Sequence, residues 1–118
     1  MTPRRGEVWI ADLDPTMGDE VRKVRPVIVI GRTELSPLRL VIICPIRART
    51  RRHDREPWLV KVVPDGSNGL TKISSVDAFQ VRCISLNRLT KKIGPLDEET
   101  VATVAKAVAL CVGLQIKM

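Results

Sequence analysis

Residues 25–30 read Arg25-Pro26-Val27-Ile28-Val29-Ile30, and Gly31 closes the run. The last four are β-branched, a side-chain type that packs well on a pleated surface and loses rotamer freedom in a helix. Pro26 restrains Arg25 to extended geometry. The stretch therefore reads as a strand, with Arg25 held at its mouth on rigid backbone. Working outward, the same reasoning predicts strands at Glu7–Asp12, Arg39–Ile46 (RLVIICPI), Trp58–Val63 (WLVKVV) and Ser75–Ile84 (SVDAFQVRCI). Asp14-Pro15, Gly18 and Pro64-Asp65-Gly66 punctuate them as turns. The final segment changes period. Asp97 suits an N-cap and Glu98 and Glu99 a first helical turn. Val101, Val104, Ala105, Val108 and Val112 then follow helical spacing until Gly113. Strands first and one terminal amphipathic helix predict a mainly β fold, a small antiparallel barrel or sandwich, rather than a βαβ sheet. The 118 residues suffice for one domain, 1–118. Arg47–Glu56 (RARTRRHDRE) is expected to be a mobile loop between two strands.

The charge has an address. The chain carries 20 Lys+Arg against 13 Asp+Glu, a net charge of +7. Between Glu20 and Lys61 stand eleven basic and four acidic residues, so the whole excess lies there and the remainder is neutral. A basic segment on a neutral scaffold points to a polyanionic partner, most commonly nucleic acid. The competing reading is a solvated loop that aids solubility. Arginines outnumber lysines 13 to 7, which suits bidentate phosphate contacts.

Several classes are excluded. The longest apolar run, Leu40–Ile46, falls far short of the roughly 18 residues of a membrane span. Residues 1–7 are not followed by a signal-peptide core. Cys44, Cys83 and Cys111 form no CxxC pair and sit among apolar neighbours, so they are expected as buried, reduced thiols of a cytoplasmic protein. Trp9, Trp58 and Phe79 are the only aromatics, too few to stack successive bases. Contact with nucleic acid would rest on phosphate, sugar and base edges, with a single stacked base at most.

The candidate chemistry centres on Arg25. A guanidinium fixed in this way can stabilise a phosphate or a phosphorane-like transition state. It can equally be a structural arginine paired with a carboxylate such as Glu20. Asp19 and Glu20 lie in the preceding loop, where an acid can accept a proton, orient the arginine, or simply be solvated. The one histidine, His53, stands in an arginine run that disfavours its charged form, and it reads as a surface residue of a flexible loop. A two-histidine ribonuclease mechanism is impossible with one histidine per chain. Glycine-rich phosphate loops, metalloprotease motifs and clustered metal-binding carboxylates are absent from the sequence, so neither metal nor cofactor is expected. The chemistry that fits is attack of an RNA 2′-hydroxyl on its own phosphate, because the substrate then supplies the nucleophile.

These motifs together resemble one family. Arg5-Gly6-Glu7-Val8-Trp9, Asp12-Leu13-Asp14-Pro15-Thr16, Gly18-Asp19-Glu20 and Arg25 through Ile30 look like the opening of the MazF/PemK toxins. Asn68-Gly69-Leu70-Thr71-Lys72, Ser74 through Arg82, Arg88-Leu89, Ile93-Gly94 and the closing helix agree in order, over about residues 4–114. The resemblance implies an SH3-like antiparallel barrel with a C-terminal α-helix, paired as a homodimer. It implies a sequence-specific, metal-independent endoribonuclease that arrests growth by cutting single-stranded RNA such as mRNA. A cognate antitoxin with an acidic segment would occupy the same groove. Arg25 matches the family's catalytic arginine and Glu20 the glutamate of its closing loop. Arg47 stands where many members carry Thr or Ser, so it would bind the phosphate beside Arg25 rather than accept a hydrogen bond. Thr50, three residues on, is a hydroxyl that would substitute after a loop shift. Arg49, Arg51, Arg52 and Arg55 would hold the RNA backbone, with Trp58 or Phe79 against a base. The alternative is a degenerate member that binds RNA or antitoxin without cutting.

Overall fold

A computed structural model of the chain describes residues 2–35 and 38–115. Seven antiparallel strands precede one helix. They are β1 (Glu7–Asp12), β2 (Val24–Val29), β3 (Leu40–Ala48), β4 (Leu59–Val62), β5 (Ser74–Asp77), β6 (Arg82–Ser85) and β7 (Leu89–Pro95), followed by α1 (Glu98–Cys111). The hydrogen-bonded order is β4-β5-β3-β2-β1-β7, with β6 also paired to β3. The expected mainly β fold with a terminal helix is thus present, and the path of hydrogen bonds does not close into a ring.

The β-branched run of β2 and the middle of β3 are covered on both faces, while Leu40 and Ile42 at the start of β3 are exposed on one. In β1 and β2, Val8 and Ile28 point into a core beneath the helix, while Trp9, Ala11, Val27 and Val29 point into a second core on the opposite face. In β3, Cys44 and Ile46 face the helix side and Val41 and Ile43 the other. A strand covered on both sides needs an unbroken apolar run rather than an alternating one. Leucine, isoleucine and valine burial of this kind contributes roughly 1.5–3 kcal/mol per side chain.

The long strand β3 changes partners along its length. Leu40–Ile43 pair with β6, and Ile46–Ala48 pair with β5. This carries Arg47 and Ala48 out of the central sheet and up to the site. The helix begins where expected: the Asp97 carboxylate accepts from the Thr100 N–H at 2.7 Å. Val101, Val104 and Ala107 are its buried stripe, whereas Val112 lies beyond its end and is exposed.

Three local expectations are corrected, and one strand was not foreseen. Ser75–Ile84 is two strands, broken by a 3₁₀ turn at Ala78–Gln80 that Asp77 caps. Leu89–Pro95 is a strand, paired with β1 and tied to it by a 2.8 Å ion pair from Lys92 to Glu7. Arg47 and Ala48 belong to β3, and Arg51–Arg55 form a 3₁₀ turn rather than an irregular loop. Of the cysteines only Cys44 is buried; Cys83 is exposed and Cys111 half-buried. Burial pushes the Cys44 thiol up to about 12.

Candidate functional site

The loop between β1 and β2 leaves the sheet at Leu13 and returns at Lys23, and the Leu13 N–H donates to the Lys23 carbonyl at 3.0 Å. Leu13 and Val21 are buried anchors; Gly18, Asp19 and Glu20 stand out in solvent. The tip is a turn. Glu20 N–H donates to the Met17 carbonyl at 3.2 Å, and the Glu20 carboxylate accepts from the Met17 N–H at 2.7 Å. Gly18 takes φ +56 there, a conformation that a side chain disfavours.

This loop forms one wall of an open, polar cleft of about 370 Å³. Arg22, Arg25, Arg47 and Ala48 complete its lining. Arg25, Arg47 and Glu20, picked out from the sequence, therefore converge on one cleft although 26 residues of chain separate the outermost two. The Arg25 Nε donates to the Arg22 carbonyl at 3.0 Å, and among the described residues no carboxylate lies within ion-pair distance of it. The structural reading of Arg25, a pair with Glu20, is thereby set aside. Arg25 is half-buried and lines the cleft.

Arg47 is held differently. Its Nη1 lies 3.4 Å from the Asp77 carboxylate, with the arginine side chain 40% exposed and the acid 4%. Asp77 also receives the Gln80 N–H at 3.3 Å as the cap of the 3₁₀ turn. Gln80 in turn reaches across to the β1–β2 loop. Asp77 and Gln80 went unsuggested by the sequence reading. The signal was present as an Asp three residues before a Gln, a capping spacing hidden inside an apparent strand.

The arginine cluster divides. Arg49, expected to grip RNA, is committed to the protein. Its Nη1 donates to the Leu59 carbonyl at 3.3 Å and to the Ser75 hydroxyl at 3.1 Å, and its Nη2 pairs with Asp54 at 2.8 Å. Arg51, Arg52 and Arg55 are exposed and line a hollow of about 400 Å³ with Glu56. Thr50 is exposed at the head of the 3₁₀ turn and outside the cleft lining. Phe79 is 64% exposed, and its ring leans against Trp58 with centroids 5.9 Å apart.

His53 is the clearest departure from expectation. It is buried, not a surface residue, and its Nδ1 lies 2.9 Å from the Ser75 hydroxyl. The Thr50 N–H also points at Nδ1, so that nitrogen is the acceptor and the Ser75 hydroxyl donates to it. Burial, then the positive charges of Arg47 and Arg49, lower the pKa of the imidazole and keep it neutral. Among the described residues no three His, Cys, Asp or Glu side chains gather as metal ligands.

Residues 4–112 match the family described as PemK-like, MazF-like toxin of type II toxin-antitoxin system. The chain belongs to this toxin family. Endoribonuclease EndoA of Bacillus subtilis is 34% identical over 118 residues, covering 97% of each chain. The Mycobacterium tuberculosis toxin MazF-mt6 superposes with a TM-score of 0.73 at 28% identity, over 93% of this chain and 99% of that one. An endoribonuclease in complex with its cognate antitoxin, from a mycobacterial species, shares the fold at a TM-score of 0.74 and 19% identity, over 98% and 99% of the two chains. No helix among the described residues of this PemK/MazF-family chain is long and apolar enough to cross a membrane.

Proposed function

We propose that this toxin-family chain is an endoribonuclease that cuts single-stranded RNA through attack of a 2′-hydroxyl on the adjacent phosphate. The observation that carries the reading is the convergence of Arg25, Arg47 and Glu20 on one open polar cleft. The relatives named as endoribonucleases support it. The 2′-oxygen bonds to phosphorus, the bond to the 5′-oxygen breaks, and a 2′,3′-cyclic phosphate and a 5′-hydroxyl result. Charge builds on the non-bridging oxygens as phosphorus becomes five-coordinate. Two guanidiniums facing one cleft are suited to that charge, since fixed donors aimed at it need no reorganisation. Glu20, on the β1–β2 loop, takes the 2′-hydroxyl proton, and the departing 5′-oxygen takes a proton from solvent. No step calls for a metal or a cofactor.

Arg51, Arg52 and Arg55 then hold flanking phosphates, and Phe79 with Trp58 offers the single stacking surface. The basic face also suits the acidic segment of a cognate antitoxin. The exposed apolar residues Leu110, Val112 and Leu114 suit a homodimer. The reading places the chain in the cytoplasm as one toxin domain. Arg25→Ala should abolish RNA cleavage and growth arrest while leaving a folded protein, because Arg25 bonds only a local carbonyl. Full toxicity in that variant would refute the assignment.

A second reading is favoured by Arg47 itself. Its charge is shared with Asp77, and no hydroxyl stands in its place in the cleft. A chain that binds RNA without cutting would show this arrangement. If the native protein cuts nothing and Arg47→Thr cuts, the binding reading replaces the first.

A further inference from the structure

We propose that Gln80 is a positioning residue that sets where Glu20 stands over the cleft; the inference rests on the cleavage reading above. Glu20 sits on an exposed loop tip whose neighbours Gly18 and Asp19 have no burial to hold them. Its two bonds to Met17 lie within the loop itself, so a tie to the rest of the fold is still needed if Glu20 is to face a phosphate reproducibly. The Gln80 side chain supplies that tie from 59 and 61 residues away. Its Oε1 accepts from the Val21 N–H at 2.6 Å, and its Nε2 donates to the Asp19 carbonyl at 3.1 Å. The first group belongs to the peptide unit after Glu20 and the second to the unit before it. One amide therefore clamps both peptides that flank Glu20.

The assignment of oxygen and nitrogen follows from the partners. A flipped amide would set donor against donor at Val21 and acceptor against acceptor at Asp19. Both ends of the amide are thus spent on the loop, which distinguishes Gln80 from a side chain free to read a base. The clamp has a firm footing. Gln80 N–H donates to Asp77 Oδ1 at 3.3 Å, and Asp77 Oδ2 holds Arg47 at 3.4 Å. Glu20 and Arg47, which both line the cleft, are referenced to the same short turn, Ala78–Gln80. That turn also presents Phe79 outward, beside a second hollow of about 450 Å³ that shares Asp19, Glu20 and Val21 with the cleft.

Two variants test this. Gln80→Met keeps the volume and removes both bonds; Gln80→Glu keeps the acceptor for Val21 and removes the donor to Asp19. Amide hydrogen exchange at Val21 should quicken about tenfold or more in Gln80→Met and stay near the native rate in Gln80→Glu. With a labelled RNA that the native chain cuts, kcat should fall roughly ten- to hundredfold in Gln80→Met, with KM changed far less and partial recovery in Gln80→Glu. Unchanged Val21 exchange in Gln80→Met overturns the proposal, and so does faster exchange with native turnover. If the native chain cuts no RNA, the cleavage reading itself falls. The clamp is then judged by exchange alone: quickened in Gln80→Met it stands, unchanged it does not.

Discussion

Asp77 makes two bonds of different kinds, and replacing it in two ways separates them. Asp77→Ala removes the cap on the Ala78–Gln80 turn and the partner of Arg47. Asp77→Asn keeps an oxygen for the Gln80 N–H and removes only the charge. At 3.4 Å the attraction between Arg47 and Asp77 is about 1 kcal/mol at the dielectric constant of water and about 5 kcal/mol at an effective value near 20. The arginine is 40% exposed, so hydration recovers most of what it loses and the net worth of the pair is about 0.5–1 kcal/mol. An N-cap is worth about 1 kcal/mol, and losing a buried side chain adds to that. Asp77→Ala should therefore cost about 2 kcal/mol and Asp77→Asn about half as much. For a chain of this size the shifts in Tm are roughly 8 °C and 4 °C. Far-UV circular dichroism during thermal unfolding, at one protein concentration, measures both. Equal losses in the two variants would show that the charge, not the cap, is what Asp77 contributes. A loss below about 0.5 kcal/mol in Asp77→Ala would refute the reasoning altogether.

Two further outcomes follow from the same contacts. His53 is held neutral in the fold with its pKa below the ordinary 6.5, so the unfolded chain binds the proton more readily. Its contribution to stability is complete above 6.5 and is lost as pH falls through the lowered value. The slope of stability against pH on the acid side of 6.5 should flatten in His53→Asn, and an unchanged slope in urea titrations would contradict it. A Cβ at Gly94 would lie 2.2 Å from the Ser67 carbonyl oxygen, so Gly94→Ala should cost about 1–3 kcal/mol; a native Tm would show that the Asn68 loop yields freely.

What the sequence disclosed follows the range of the interactions involved. Pro26–Ile30 and Arg39–Ile46 were legible as unbroken apolar, β-branched runs, which burial on both faces accounts for over Val27–Ile30 and Ile43–Ile46 but not at the exposed Leu40 and Ile42. The helix was legible from Asp97 because a cap is a local bond. Strand Leu89–Pro95 was missed because Lys91, Lys92, Gly94 and Pro95 argue against a strand, and only its pairing with Glu7–Ala11 makes it one. The turn at Ala78–Gln80 contains neither glycine nor proline and stands on Asp77. Within the site, Arg25 and Glu20 could be proposed from their type and neighbours, whereas Arg47 was singled out by its place in the family resemblance. Arg49 could not be separated from Arg51, Arg52 and Arg55, because its partners Leu59 and Ser75 come from two other strands. The burial of His53 has the same origin in Ser75.

Whether the RNA supplies its own nucleophile decides the proposed mechanism. The direct measurement is to incubate the purified chain with a labelled RNA in the presence of EDTA and map the new ends, beside the same strand carrying a single 2′-deoxy sugar at the cut position. The account predicts 5′-hydroxyl and 2′,3′-cyclic phosphate ends with EDTA present, and no cleavage of the deoxy-substituted strand. New 5′-phosphate ends, or cleavage that survives loss of that one hydroxyl, would contradict it.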